Sequence, residues 1–149
     1  MDFLAADDFL TASEKKRVEA AITAAELRTS GELRLHLEDH IEDDVMDHAA
    51  FIFQELDMHR TRDRNGVLIY LSVVDRKVAV IGDTGINAVV GDGFWVDVVG
   101  MLKIHLAAGR RADGLCEAVH TIGEKLVRHF PTKSDDSNEL PNTISIGKR

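Results

Sequence analysis

The sequence predicts an α/β protein, a three-layer α/β/α sandwich around a small mixed sheet, in the order α-β-α-β-β-α-α. Three observations carry that expectation. The runs "VLIYLSVV" (67–74) and "KVAVIG" (77–82) are nearly continuous, apolar and rich in β-branched residues, as strands covered on both faces are. The stretch "ELRLHLE" (32–38) alternates strictly between leucine and polar residues, which is the period of a strand. The segments around these runs carry apolar residues at helical spacing, so helices are available for both faces of a sheet.

The first helix is expected over roughly 12–29. "TASE" at 11–14 reads as a capping box, Val18, Ala21, Ile22 and Ala25 follow with helical spacing, and Gly31 is placed as a C-terminal stop. In the strand at 32–38, Leu33, Leu35 and Leu37 share one side, while Glu32, Arg34, His36 and Glu38 share the other. That pattern predicts a half-buried strand near a sheet edge. The acids at 42–44 favour a helix N-terminus, and Val45, Ala49, Ile52, Phe53 and Leu56 give a helical stripe over 42–59. Only Asp75 and Arg76 separate the two apolar runs, which predicts a tight antiparallel hairpin.

"GDTGINAVVGDG" (82–93) reads as a Gly-rich connection. Asp92 is then expected to cap a helix at 93–108, with Phe94, Trp95, Val98, Leu102, His105 and Leu106 on its buried stripe. A last helix over 111–130 carries Leu115, Val119, Ile122, Leu126 and Phe130, and Pro131 ends it. Residues 1–131 form the expected single domain. Residues 132–149 form a polar tail, in which "ELPNTISIG" is expected to dock as an extended segment.

The chain has 149 residues, enough to bury a core, and 44% of them are hydrophobic. Lys and Arg total 18 against 26 Asp and Glu, giving a net charge of −8. That balance argues against nucleic acid as the main partner, because phosphate binding needs a basic footprint. It suits cations or basic surfaces, or serves solubility alone. The lone Cys116 sits in a helical pattern, forms no disulfide within the chain and reads as packing. "MDFLAADDFL" lacks the basic start of a signal peptide, and no apolar run approaches membrane-spanning length. The expected state is a cytoplasmic monomer with no membrane partner.

Topology sorts the polar tips of the strands. A crossover helix joins the strands at 32–38 and 67–74, so they should lie parallel with a right-handed connection. The hairpin turns the strand at 77–82 the other way. Its C-terminal end therefore meets the N-terminal ends of its neighbours and gathers Glu32, Asp63, Asn65, Asp83 and Thr84, with Asp92 across the Gly-rich loop. The opposite end gathers Glu38, Asp39, Asp43, Asp44 and Asp75. Carboxylates that converge without lysine partners need protons, water or a divalent cation to relieve their repulsion. Asp63, Asn65 and Asp83, with backbone carbonyls near Gly82 and Gly85, offer the oxygen ligands that Ca²⁺ and Mg²⁺ take. The competing reading is local: Asn65-Gly66 is turn chemistry, Asp83 and Thr84 can bond their own backbone, and Asp92 can be a cap.

Other constellations carry less. His36 and His40 fall at a strand end rather than on a helix face, although His40 with Asp39 and Asp43 is a conceivable transition-metal set. His105 reads as a core histidine, and Arg60, Arg62 and Arg64 as a solvated loop that could reach a phosphate. The Asp-Thr-Gly at 83–85 lacks the all-β fold and the second aspartate that an aspartic protease requires.

"SGELRLHLE" (30–38), "NGVLIYLSVVDRKVAVIGDTGI" (65–86) and "DGL" (113–115) together resemble the TPM-domain family, over about residues 10–130. "GDGFW" (91–95) and "NELPNTISIG" resemble a short soluble bacterial branch of it. The family includes a thylakoid-lumen protein of photosystem II repair. The resemblance implies an α/β/α sandwich, divalent-cation binding through loop acids and, for some members, acid phosphatase activity. The family's Asn-Gly motif falls on Asn65 and Gly66, its arginine after the hairpin aspartate on Arg76, and its Gly-x-x-Gly loop on Gly82 and Gly85. Asn87 stands where a glutamate often follows that loop.

The expected function is thus binding of Ca²⁺ or Mg²⁺ through Asp63, Asn65, Asp83, Thr84 and Asp92. Two alternatives stand beside it. One is a metal-assisted phosphatase acting on phosphomonoesters, in which the metal activates water. The other is a scaffold or regulator whose acidic face docks a basic protein partner.

Overall fold

The computed structural model describes residues 5–132 and 144–147. A four-stranded mixed sheet runs in the order β3-β2-β1-β4. Its strands are β1 (Glu32–Glu38), β2 (Gly66–Ser72), β3 (Lys77–Gly82) and β4 (Ser145–Gly147). Five α-helices cover it: α1 (Ala12–Glu26), α2 (Val45–Glu55), α3 (Thr84–Val90), α4 (Asp92–Ala107) and α5 (Arg111–His129). The three-layer sandwich is as the strand patterns predict. β1 and β2 are parallel, with Glu32 opposite Gly66 and Glu38 opposite Ser72. β2 and β3 are antiparallel, with Val67 opposite Gly82. The C-terminal end of β3 therefore does lie at the N-terminal ends of β1 and β2.

Side-chain alternation divides the core. Leu33, Leu35, Leu37, Val67, Ile69, Leu71, Val78 and Val80 pack toward α1, α4 and α5. Leu68, Tyr70 and Ala79 pack toward α2, against Ala49, Ile52 and Phe53. Every residue of β2 is buried, which is why its sequence lacks a polar phase. Among the described residues no single helix is long and apolar enough to cross a membrane.

Local chemistry moves several boundaries. Thr11 and Glu14 form the expected capping box, but α1 stops at Glu26, with Leu27 as a right-handed C-cap, rather than running on to about residue 29. α2 begins only after Asp44, whose carboxyl accepts from the Met46 and Asp47 amides. It ends before Asp57, which adopts φ 59 and breaks the helix. The β2–β3 hairpin turns through residues 73–76, with Arg76 at φ 54, so Val73 and Val74 leave the strand.

Three expectations are corrected outright. The Gly-rich connection holds a helix, α3, which Asp83 starts by accepting from the Thr84 amide at 2.7 Å. Asp92 does not cap α4. Gly91 at φ 77 occupies the cap position without a side-chain bond, and Asp92 is the first helical residue. β1 does lie near a sheet edge, but it is not half-buried. Glu32, His36 and Glu38 are buried, and β4 pairs parallel with residues His36 to Glu38 on its outer side. The "ISIG" end of the tail thus docks as an extended segment, whereas 133–143 lie outside the described residues.

Candidate functional site

The end of the sheet that the sequence singles out is built by two chain segments in backbone contact. Asp83 N–H donates to Gly66 O at 2.9 Å, and Gly85 N–H donates to Arg64 O at 2.7 Å. A Cβ on Gly85 would stand 2.0 Å from Asp63 O. Only glycine lets these strands approach so closely, which ties Asp63, Arg64 and Asn65 to the Asp83 turn.

The polar groups there are not equivalent. Asp83 is buried and its carboxyl is engaged by Arg64, with Nε at 2.7 Å from Oδ2 and Nη2 at 2.9 Å from Oδ1. This two-pronged geometry is the strong form of a guanidinium–carboxylate pair. Arg64 adopts φ 51; its sequence context predicts a solvated loop, and no feature of the sequence marks it as the partner of Asp83. Asp63 is about a third exposed, lies 3.9 Å from Arg62 Nε and accepts from Ser30 Oγ at 3.5 Å. Asn65 is buried. Its Nδ2 donates to Ser30 Oγ at 3.3 Å and its N–H to Thr61 Oγ1 at 3.1 Å. Its Oδ1 is buried with no hydrogen-bond partner among the described residues.

The structure thus brings together Asp63, Asn65 and Asp83, with Thr84 exposed at the start of α3. Asp92 stands apart, beyond the seven residues of α3, about 10 Å of helical rise. Among the described residues no three His, Cys, Asp or Glu side chains are grouped to hold a metal ion. The oxygen set at hand is the part-exposed Asp63 carboxylate, an amide oxygen, a hydroxyl and the turn carbonyls, with Asp83 engaged by Arg64.

At the same end the partly buried Glu26 meets the buried Glu32. Glu26 Oε2 accepts from the Leu33 amide at 2.8 Å. Burial first, and then its hydrogen bond with Glu32, raise the Glu26 carboxyl to about 9. It therefore stays protonated in the folded chain near neutrality. The stability linked to that proton is present below about pH 4.5 and is lost as pH rises toward 9.

The polar side of β1, which strand alternation predicts to face water, forms a second buried network. Glu38 Oε1 lies 3.0 Å from His36 Nε2, and its Oε2 lies 3.0 Å from His48 Nε2 and 3.1 Å from Tyr70 Oη. His48 Nδ1 reaches Asp43 at 3.1 Å, and His36 Nδ1 reaches Ser145 Oγ at 2.7 Å. Burial pushes the His36 imidazole down, against the opposing pull of Glu38. Two signals for this network exist in the sequence. Tyr70 interrupts an otherwise aliphatic strand, and His48 falls one position before Ala49 of the α2 stripe. At the hairpin tip, Asp75 accepts from the Ile41 amide at 2.8 Å and pairs with His40 and Ser72.

An α/β/α domain with a parallel β1–α2–β2 crossover, an antiparallel hairpin and loop acids at one sheet end defines the class. Residues 5–125 match the TPM domain family, and the chain belongs to that family. The chain is similar to the BA42 protein of the psychrophilic bacterium Bizionia argentinensis, solved by NMR. The two are 45% identical with a TM-score of 0.87, over 95% of this chain and 97% of that one. It also shares its fold with the N-terminal domain of a P. gingivalis protein, at 19% identity and a TM-score of 0.69, over 84% and 83% of the two chains. No curated protein matches.

Proposed function

We propose that this TPM domain binds a divalent cation, Ca²⁺ or Mg²⁺, at the turn where Asp63 and Asn65 meet Asp83. The observation that carries the reading is the buried Asn65 Oδ1, which has no hydrogen-bond partner among the described residues and stands beside the Asp63–Ser30 contact. Such an oxygen costs about 1–3 kcal/mol while it is unsatisfied, and a hard cation would recover that cost. Asp63, Asn65 and the turn carbonyls are the ready ligands. Asp83 joins when its Arg64 partner swings away, which the half-exposed Arg64 side chain permits. Thr84 borders the site, and Asp92 contributes at most through the long-range field.

Arg64 thus acts as a resident counter-ion that competes with the metal. With few free carboxylates the affinity should fall in the weak class, on the order of 10⁻⁴ M or weaker. Calorimetric titration with CaCl₂ and MgCl₂ tests this. Wild type should release or take up heat saturably, Asp63→Asn should weaken binding about tenfold, and Arg64→Gln should tighten it. Absence of heat, or equal affinity in wild type and Asp63→Asn, overturns the site.

A further inference from the structure

At the opposite end of the sheet, on the face covered by α4 and α5, lies a groove of about 730 Å³. The β2–β3 hairpin, the end of α4 and the start of α5 form its walls, and Phe9 lies against it. Its lining includes Arg76, Lys77, Lys103 and Arg111, and no aspartate or glutamate. In a chain of net charge −8, four cations gathered around one concave surface set up a local positive field of the kind that concentrates anions.

The lack of neutralising partners is specific. Arg76, Lys77 and Lys103 are exposed and make no ion pair among the described residues. Asp75, their neighbour in sequence, is turned toward Ile41, Ser72 and His40 instead. Arg111 is held in place: its guanidinium donates to Phe9 O at 3.1 Å and stacks 4.8 Å above the Phe9 ring. One of its five donors is spent there and the fork remains available. Beneath the cations the floor is apolar, formed by Leu71, Val73 and Val78 with Leu106.

From this pairing of a cationic rim with an apolar floor, we infer that the groove binds a small amphiphilic anion, a carboxylate or phosphate head on an aliphatic body. The head pairs with the Arg76, Lys77, Lys103 and Arg111 charges, and the aliphatic part covers the floor. The volume is in the range of small-molecule sites. The groove shares no residue with the proposed cation site, so either can fail without the other.

The test is an amide chemical-shift titration of the whole chain with octanoate. Octan-1-ol is the uncharged control, inorganic phosphate the tail-less one, and phosphatidylglycerol vesicles the membrane one. Octanoate should shift the amides of Phe9, Val78, Lys103 and Arg111 saturably, with octan-1-ol and phosphate each about tenfold weaker or more. A double variant, Arg76→Glu with Lys103→Glu, should lose about tenfold or more in octanoate affinity while keeping its amide dispersion. Four results overturn the inference: no saturable shift with octanoate, equal binding of octan-1-ol, unchanged affinity in a folded double variant, or capture by vesicles while octanoate leaves the groove unmoved. If the double variant does not fold, the octanoate and octan-1-ol comparison on wild type decides.

Discussion

The face of the sheet beneath α1, α4 and α5 is lined by Leu33, Leu35, Leu37, Ile69 and Val80, whereas the face toward α2 carries His36, Glu38 and Tyr70 beside its aliphatic residues. The two faces come from the same strands, one residue out of phase. Three helices reach across the first face. α2 packs mainly on β2 and β3 and meets the polar phase of β1 through a polar residue, His48, rather than through its apolar stripe. Glu38 answers by drawing the donors of His36, His48 and Tyr70 onto one carboxyl. Where helices suffice, volume and apolarity are enough. Where they fall short, the strand is buried by side chains that satisfy one another, and those positions tolerate far fewer alternatives.

This contrast can be broken in three places, in order of expected effect. Leu35→Ala on the three-helix face removes a fully buried side chain and should cost about 2–5 kcal/mol in urea unfolding. A loss under about 1 kcal/mol would mean that this face repacks freely. Glu38→Gln keeps the shape of the side chain but offers its three donors a poorer acceptor, and should cost about 1.5–3 kcal/mol. An unchanged midpoint would show the network to be incidental.

The smallest effect is a pH limb at the hairpin tip. Burial pushes the Asp75 carboxyl up, but its bonds from Ser72, the Ile41 amide and His40 outweigh that and hold it at about 2, against 3.8 normally. A carboxyl held low in the folded state contributes stability that is present above about pH 4 and lost as pH falls toward 2, an effect that solvent screening keeps small. Asp75→Asn should flatten that limb in unfolding curves taken between about pH 5 and pH 2. A limb of equal depth in the variant would assign it to other carboxyls.

The sequence was most legible where one force acts alone. The apolar runs of β2 and β3, the Thr11 capping box and the hairpin reversal followed from periodicity and turn chemistry, and they placed Asp63, Asn65 and Asp83 at one end. Legibility failed where a residue had two uses. Convergence of the tips marks Asp83 as a loop ligand and turn chemistry marks it as a partner of its own backbone; it does start α3, and its bond to Arg64 is the use that the sequence hides. Charge on one phase of a strand usually means water, which predicts His36 and Glu38 on the solvent side. Only the tertiary arrangement, with Tyr70, His48 and Ser145 arriving from other elements, shows that they are covered. The groove cations are scattered from Arg76 to Arg111 in sequence, so their meeting was invisible before the fold.

The outer margin of β1 has a consequence beyond its own stability. A strand margin left open is a template onto which another chain can add its backbone. Here His36 to Glu38 are matched by β4, and the Leu33 amide is taken by the Glu26 carboxyl. The added strand is three residues long, too short to offer much of a ladder in turn. A neighbouring molecule therefore meets a carboxyl and a brief capped strand in place of an open row of amides, and the domain is guarded against growing into fibres from that side.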